Sequence, residues 1–328
     1  MSEEDFKPMH EEGAPEPAKP GEPVLEPAVE LSADVAPRVE EFMAETAEAN
    51  EAEGAAAAEE SHFAAGGGLE AASFAAGAEA APYIAFNDVN KSFGDLVVLE
   101  NVSFFVNAGE TLCILGRSGV GKSVSLQILM GFLKPDSGEV LVAGQDIGGL
   151  NEREMQEVRK KVTMVFQNGA LFDSITVGEN VAFPLREHGN MQEDQILKVV
   201  EGLLEMVGVA GMENMLPSDL STGMKRSVAI ARALAAQPAA VLYDEPTTMV
   251  DPLMGHLLGD LIQRLKRQLH LTSIVVTHDM RFAQKLADRV VFLHEGKALF
   301  FGTMEEMRRS EDPVLREFFE LDELVLPV

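Results

Sequence analysis

The segment from Gly116 to Ser123 holds the residue types whose spacing points most directly to a chemical function. It reads Gly-Arg-Ser-Gly-Val-Gly-Lys-Ser, so that four residues separate the first glycine from a Gly-Lys-Ser triplet. This is the phosphate-loop pattern, in which backbone N–H groups surround phosphate oxygens. The apolar run 111–115 precedes it, so we expect a buried strand, a glycine turn and then a helix whose N-terminal dipole favours anions. The sequence therefore predicts a nucleoside triphosphate site.

Every residue of this loop is a candidate ligand of the nucleoside triphosphate. Lys122 is long enough to reach the β- and γ-phosphates, and the Ser123 hydroxyl can ligate Mg²⁺. The complete pattern and its apolar flank disfavour the alternative of a glycine turn that binds nothing. The remaining candidates are Gly116, Arg117, Ser118, Gly119, Val120 and Gly121.

Two acidic residues follow a second apolar run, 240–243. Asp244 closes this predicted strand, which suits a carboxylate that holds Mg²⁺, usually through water. Glu245 comes next and can polarise a water for attack on the γ-phosphate. Two adjacent acids after a strand can also form a solvated turn, but the upstream phosphate loop favours the metal and catalytic interpretation.

The segment Leu-Ser-Thr-Gly-Met-Lys at 220–225 resembles the Leu-Ser-Gly-Gly-Gln signature of ATP-binding cassette (ABC) ATPases. Ser221 and Gly223 match this signature, whereas Thr222 replaces its first glycine and Met224 its glutamine. The resemblance implies that Ser221 and Gly223 contact the γ-phosphate held by a second copy of the chain. An ordinary helix N-cap is the alternative, since Ser caps many helices.

The same resemblance assigns roles to four more residues. Gln167 matches the glutamine that senses Mg²⁺ and couples to a partner, and His278 matches the switch histidine at the γ-phosphate. Asp251 occupies the D-loop position, although the residues before it depart from the usual pair. Phe93 matches the aromatic residue that stacks on adenine, with core packing as its alternative. The implied catalytic residues are Glu245, His278 and Gln167, and the implied Mg²⁺ ligands are Ser123, Gln167 and Asp244.

The resemblance implies an α/β fold, the P-loop NTPase cassette of ABC proteins, for residues 83–310. We expect a mostly parallel core sheet, an antiparallel β layer from the strands at 83–93 and 98–106, and a helical subdomain at about 151–224, with a strand at 162–166 leading into it. Residues 311–328 are left as a C-terminal tail. In this family two cassettes pair head to tail, so a second copy is an expected partner.

The chain has 328 residues and a net charge of −28. Residues 1–82 hold 20 acidic and 3 basic side chains, and the remainder holds 34 and 23. This first segment is rich in Ala, Glu and Pro, so we expect disorder, with transient helix near 39–60. We also expect removal of residues 1–80 to leave folding and ATPase activity nearly intact. The acidic balance argues against nucleic acid as a partner.

Membrane association is expected to be indirect. No run is long enough to span a bilayer, and the acidic start is unlike a signal peptide. The family implies an integral-membrane permease as partner, so we expect the chain at the cytoplasmic face of the inner membrane. The single cysteine, Cys113, lies mid-strand and is expected in the core.

Residues 168–188 narrow the choice of transporter. This stretch, together with 312–318 of the tail, resembles the ATPase of Mla-type phospholipid transporters, which work with MCE-type lipid-binding proteins. A generic loop and helix is the alternative. Another ABC permease, for import of a small solute or for export, therefore stays open as the partner. A non-transport ABC protein is disfavoured, because this chain has one cassette, no long coiled-coil insertion and no basic tail.

Overall fold

The structure is a computed structural model, and it describes residues 42, 44–50, 52, 82–188 and 191–324. Its strands are β1 (Ile84–Phe93), β2 (Leu96–Val106), β3 (Thr111–Leu115), β4 (Ser137–Val142), β5 (Gln145–Asp146), β6 (Val162–Val165), β7 (Ala240–Asp244), β8 (Thr272–Val276), β9 (Arg289–His294) and β10 (Lys297–Gly302). Its helices are α1 (Lys122–Leu129), α2 (Glu152–Lys161), α3 (Val177–His188), α4 (Glu193–Met206), α5 (Thr222–Ala235), α6 (Pro252–Leu269), α7 (Met280–Leu286), α8 (Met304–Arg309) and α9 (Pro313–Leu324).

A six-stranded sheet forms the centre, in the order β10-β9-β3-β8-β7-β6. Its strands run parallel except β10, which pairs antiparallel with β9. Every residue of β3 is buried, and so is every residue of β8. Helices cover both faces of such a sheet, which explains why these strands are continuously apolar. The carboxyl ends of β3, β7 and β8 therefore meet at one edge.

The side chains of β3 alternate between two hydrophobic clusters, as the two-residue repeat of a strand requires. Leu112 and Ile114 face the cluster that includes the antiparallel sheet β2-β1-β4-β5. In that sheet the rings of Phe86 and Phe104 stack at 4.5 Å. Cys113 faces the opposite cluster, which includes α5 and α6. Burial raises the pKa of its thiol well above the usual range, so Cys113 is a core residue.

The helical region is smaller at its start than the sequence indicated. The strand expected at 162–166 is present as β6, which belongs to the central sheet, and Met155 and Val158 of α2 pack into the cluster beside the antiparallel layer. The helices α3 and α4 pack with α5, which extends past the expected boundary to Ala235. The expected architecture is confirmed: a mostly parallel core sheet, an antiparallel β layer and a helical region.

Both ends of the described chain hold helices. Residues 42, 44–50 and 52 are helical, within the 39–60 stretch where transient helix was expected, so the expectation of disorder for 1–82 is wrong for them; the rest of 1–81 lies outside the described residues. The tail forms α9, whose Leu315 is buried and whose Phe318 ring meets Phe292 edge-on at 4.8 Å. Within the described ranges, no helix is both long enough and apolar enough to span a bilayer.

Candidate nucleotide-binding and catalytic site

The residues predicted to bind the nucleotide and to catalyse its hydrolysis follow the carboxyl ends of the parallel strands. The phosphate loop follows β3, Asp244 and Glu245 lie at the end of β7, and His278 lies two residues beyond β8. Because these strands are neighbours in the order β3-β8-β7, their following loops share one edge of the sheet. Ligands bind at this carboxyl edge in open α/β sheets.

The first and last glycines of the phosphate loop are required by the backbone. Gly116 has φ of 145°, and a Cβ there would lie 2.4 Å from the Leu293 carbonyl oxygen. Gly121 has φ of 103°, and a Cβ there would lie 2.6 Å from Leu99 Cδ2. Any larger residue at either position would force the loop away from the strands beneath it. The spacing of the two glycines therefore has a direct steric cause.

Lys122 lies at the start of α1 with only 5% of its surface exposed. Its ammonium donates to the carbonyls of Gly116 at 2.9 Å and Arg117 at 3.0 Å, which holds the loop in a curl. The third neighbour is the Glu245 carboxylate, with 3.5 Å between Nζ and Oε1. A buried ammonium that faces the inside of a glycine loop suits a bound phosphate.

Ser123 and Asp244 present paired oxygens beside Lys122. The Ser123 hydroxyl donates to Asp244 Oδ1 at 2.9 Å. Burial raises the pKa of the Asp244 carboxyl, an effect that the Ser123 hydrogen bond partly offsets. A carboxylate whose charge is incompletely compensated favours a cation nearby. A hydroxyl and a carboxylate are also the oxygen ligands that Mg²⁺ uses at phosphate sites.

Glu245 is the centre of the polar contacts. Its Oε2 lies 2.7 Å from Nδ1 of His278, and the Thr248 hydroxyl donates to the same oxygen at 3.4 Å. The residue has φ of 47°, in the left-handed region that non-glycine residues seldom adopt. Such strained backbone conformations cluster at functional sites, where the surrounding structure maintains them.

A cleft of about 460 Å³ joins these groups. It brings together eight of the predicted site residues from four separate parts of the chain. The cleft is lined by Val98, Ser118, Gly119, Gly121, Lys122, Ser123, Val124, Gln167, Glu245, Thr248 and His278. Its walls therefore combine phosphate-loop backbone, a cation, a carboxylate and an imidazole.

Comparison with known proteins agrees with this geometry. The family model described as "ABC transporter" matches residues 99–248. The intermembrane phospholipid transport system ATP-binding protein MlaF of Haemophilus influenzae is 42% identical over 227 residues, which cover 69% of this chain and 86% of that protein. This chain belongs to the ABC transporter ATP-binding proteins. Its cassette is accordingly an ATPase, and ATP is its nucleotide.

A second relative and a solved structure show that the similarity is not confined to phospholipid transport proteins. The methionine import protein MetN of Rhizobium johnstonii is 42% identical over 234 residues, or 71% of this chain and 64% of that protein. The solved dimer of the ATP-binding cassette MJ0796 bound to ADP and Pi is 32% identical, with a TM-score of 0.63. It covers 67% of this chain and 98% of the MJ0796 chain. Similarity therefore extends to cassettes of different transporters.

Four predicted ATP ligands of the ABC cassette do not line the cleft: Phe93, Gly116, Arg117 and Val120. Phe93 is 47% exposed at the end of β1, with Lys91 Nζ 5.5 Å from its ring centroid. The exposed face does not support the core-packing alternative. The Arg117 side chain pairs with Glu317 of α9 at 2.8 Å, so only its backbone carbonyl faces Lys122.

The signature and D-loop residues also lie outside the cleft of their own chain. Ser221 caps α5, its hydroxyl accepting from the Met224 N–H at 3.3 Å. Asp251 caps α6 in the same way, accepting from the Met254 N–H at 3.0 Å. Met254 packs on Gly223, so the starts of α5 and α6 are in contact. Ser221 and Asp251 are both exposed.

Sequence reasoning missed Arg226, which links the signature helix to Glu245. Its guanidinium is 3% exposed and donates to the carbonyl of Glu245 at 3.1 Å and to the carbonyl of Thr248. Burial lowers the pKa of this arginine, with no carboxylate contributing to the shift. Arg226 shares one helix face with the buried Ile230 and Ala233, and a charged residue within such an apolar stripe was the available signal.

Proposed function

We propose that this ABC ATPase drives phospholipid transport by a membrane permease that works with an MCE-type lipid-binding protein. The phospholipid transport system named for the Haemophilus influenzae relative supports this, as does the resemblance of residues 168–188 to Mla-type ATPases. The chain would act at the cytoplasmic face of the inner membrane, held there by the permease.

The contact of Glu245 with His278 and Lys122 is the observation that carries the hydrolytic part of the proposal. Glu245 would accept a proton from the attacking water, because its carboxylate opens on the cleft beside the phosphate loop. His278 would orient that carboxylate and contact the γ-phosphate. Lys122 would bind the β- and γ-phosphates by charge-assisted hydrogen bonds.

Mg²⁺ fits the paired oxygens of Ser123 and Asp244. This ion is usually held by one or two carboxylates together with substrate phosphates and water. Among the described residues there is no cluster of three or more His, Cys, Asp and Glu side chains that would form a separate cage. Ser123, Asp244 and Gln167 would hold the ion, which supplies positive charge to the transferring phosphoryl group.

A second copy of the chain would complete each site. Ser221 and Gly223 lie at the start of α5 and outside the cleft, so they are available to a nucleotide bound by another chain. A serine hydroxyl and free N–H groups at a helix start suit the γ-phosphate. The solved MJ0796 cassette is a dimer, which supports the pairing of two copies.

An exposed aromatic pair would receive the permease. Phe172 and Phe183 are 46% and 43% exposed, and their ring centroids lie 5.3 Å apart. Leu171 is partly buried against the core. Exposed aromatic residues with a rigid backing are typical anchors for a partner helix. The pair follows Gln167 in sequence, so movement at the nucleotide can reach it.

Another ABC permease is the second candidate, favoured by the equally high identity to a methionine importer. Isolation of the membrane complex separates the two. A phospholipid transporter should co-purify with a permease that carries phospholipid, and the reconstituted complex should move labelled phospholipid between vesicles only with ATP. Lys122→Ala in the same complex should abolish transfer, and Lys198→Ala, an exposed change, should not. A complex that hydrolyses ATP but moves a small solute instead would overturn the lipid assignment.

A further inference from the structure

One face of the N-terminal segment, defined as the described residues 42, 44–50 and 52, is buried against the cassette. Phe42, Thr46 and Asn50 are 6%, 2% and 6% exposed. They are spaced four residues apart, which places them on one side of a helix. Phe42 belongs to the same hydrophobic cluster as Leu265 and Leu269 of α6. The opposite face is polar or small, with Glu45 and Glu48 exposed.

Hydrogen bonds fix both ends of this face. The Gln237 side-chain amide donates to Thr46 Oγ1 at 3.1 Å and to the Phe42 carbonyl at 3.4 Å. The Asn50 amide donates to the Leu269 carbonyl at 2.7 Å. That carbonyl belongs to the last turn of α6, where helix carbonyls lack a partner within the helix. The segment therefore supplies an apolar anchor and a cap at once.

The receiving surface is formed by the C-terminal ends of α5 and α6. Each helix is followed by a residue in the left-handed region, Gln237 with φ of 50° and His270 with φ of 49°. Gln237 lies three residues before β7, and Leu269 lies three residues before β8. Since the cleft lies at the carboxyl ends of these parallel strands, the segment is at the opposite edge of the sheet.

We propose that this surface is a docking site for the chain's own N-terminal segment, which makes residues 42, 44–50 and 52 of the acidic extension part of the cassette. Residues 53–81 join the segment to β1, so docking is intramolecular and gains from a high effective concentration. The same two helices are capped at their starts by Ser221 of the signature and Asp251 of the D-loop. The segment thus ties together the far ends of the two helices that present the signature and the D-loop.

Docking contradicts the expectation that residues 1–80 can be removed without loss of stability. The full chain with Phe42→Ala and Asn50→Ala should melt about 5 °C or more below wild type, because a core aromatic and a helix cap are lost. Glu45→Ala, a change on the exposed face of the same helix, should leave the melting temperature unchanged. Equal melting temperatures for the double variant and wild type would overturn the proposal.

Crosslinking distinguishes docking within one chain from docking between chains. Cys113 is the only native cysteine and is buried, so it does not compete. In full-length protein with Glu45→Cys and Gln237→Cys, two exposed positions beside the contact of Thr46 with Gln237, a short bis-maleimide should join the two introduced cysteines in a product of monomer mass. Mass spectrometry would identify the linked peptides. A product of dimer mass, or no link at all, would overturn docking in cis.

Discussion

Oε2 of Glu245 and Nδ1 of His278 lie 2.7 Å apart, at the ends of strands that are adjacent in the sheet. The other carboxylate oxygen of Glu245 faces the Lys122 ammonium at 3.5 Å. One carboxylate thus contacts both the residue that would sense the γ-phosphate and the residue that would bind it. Its charge balances Lys122, and its orientation depends on His278. Changes at Glu245 should therefore separate nucleotide binding from hydrolysis.

Glu245→Gln should abolish ATP turnover and preserve ATP binding. The amide has the shape of the carboxylate, so the cleft keeps its form, but the group that accepts a proton is lost. We expect the hydrolysis rate to fall by about 10²-fold or more, with a closed, ATP-bound dimer that accumulates. Steady-state ATPase assays and size-exclusion chromatography with ATP measure the two effects. Turnover close to that of wild type would remove Glu245 from its proposed role.

Asp244→Asn should stabilise the protein while it destroys activity. Burial raises the pKa of this carboxyl in the folded state. The folded protein then binds more protons than the unfolded chain between the usual and the raised pKa, so stability falls as pH rises through that window. The asparagine removes the charge but keeps an oxygen for the Ser123 hydroxyl. It should also abolish ATPase activity, since Mg²⁺ loses its carboxylate.

Thermal melts at several pH values check this prediction. At neutral pH the Asp244→Asn protein should melt a few degrees above wild type, and the difference should narrow as the pH falls toward about 4, where aspartate takes up a proton. The exposed Asp95→Asn serves as control and should show no such trend. A variant that melts below wild type at neutral pH would contradict the burial argument.

Arg226→Met should slow hydrolysis without weakening ATP binding. The arginine donates to the carbonyls on both sides of the turn that holds Glu245 in its left-handed conformation. Without these hydrogen bonds the turn can change conformation, and the Glu245 carboxylate would no longer be held toward the cleft. We expect kcat to fall about tenfold, as the loss of a buried charge-assisted hydrogen bond implies.

The conservative change Arg226→Lys separates a positioning role from a purely structural one. A lysine can donate to one of the two carbonyls, so Arg226→Lys should have a higher kcat than Arg226→Met. The dissociation constant for ATP should be the same in wild type and in both variants. The exposed Arg153→Met is the matched control. A variant whose ATP affinity falls in step with kcat would place Arg226 in binding instead.

The sequence was sufficient to predict those features that depend on residues close together along the chain. The apolar run 111–115 became β3 with the same bounds, because continuous burial and a glycine turn define both of its ends. The residues around the phosphate loop also converge at one edge, since parallel strands bring their following loops together. Local pattern and sheet topology together therefore predicted most of the cleft.

Contacts between distant segments were beyond the same reasoning. Arg226 acts on two carbonyls about twenty residues away, and nothing in the helical pattern of α5 indicates which backbone it meets. The composition of residues 1–82 as a whole predicted disorder. It gave no sign of the helix face formed by Phe42, Thr46 and Asn50. A single large apolar residue is too little to predict docking, because the receiving surface forms only after α5 and α6 have folded.

Loss of the exposed aromatic pair should uncouple the ATPase from its permease. Phe172 and Phe183 lie against each other on the surface, and Arg232 of α5 sits 5.7 Å from the Phe172 ring. Arg232 also donates to the carbonyls of Gly169 and Ala170 in the loop after Gln167. The pair is therefore joined to both the signature helix and the cleft without lining the cleft itself.

Replacement of both Phe172 and Phe183 by Ser should leave ATP affinity and melting temperature of the isolated chain close to wild type. Permease association, or stimulation of the ATPase by the permease, should fall at least about tenfold, as loss of a hot-spot residue implies. Leu197→Ser, at an exposed leucine on α4, is the control for a general loss of apolar surface. Normal assembly and transport by the double variant would place the docking surface elsewhere. Unfolding of that variant would show that the pair, despite its exposure, is needed to hold the helical region on the core.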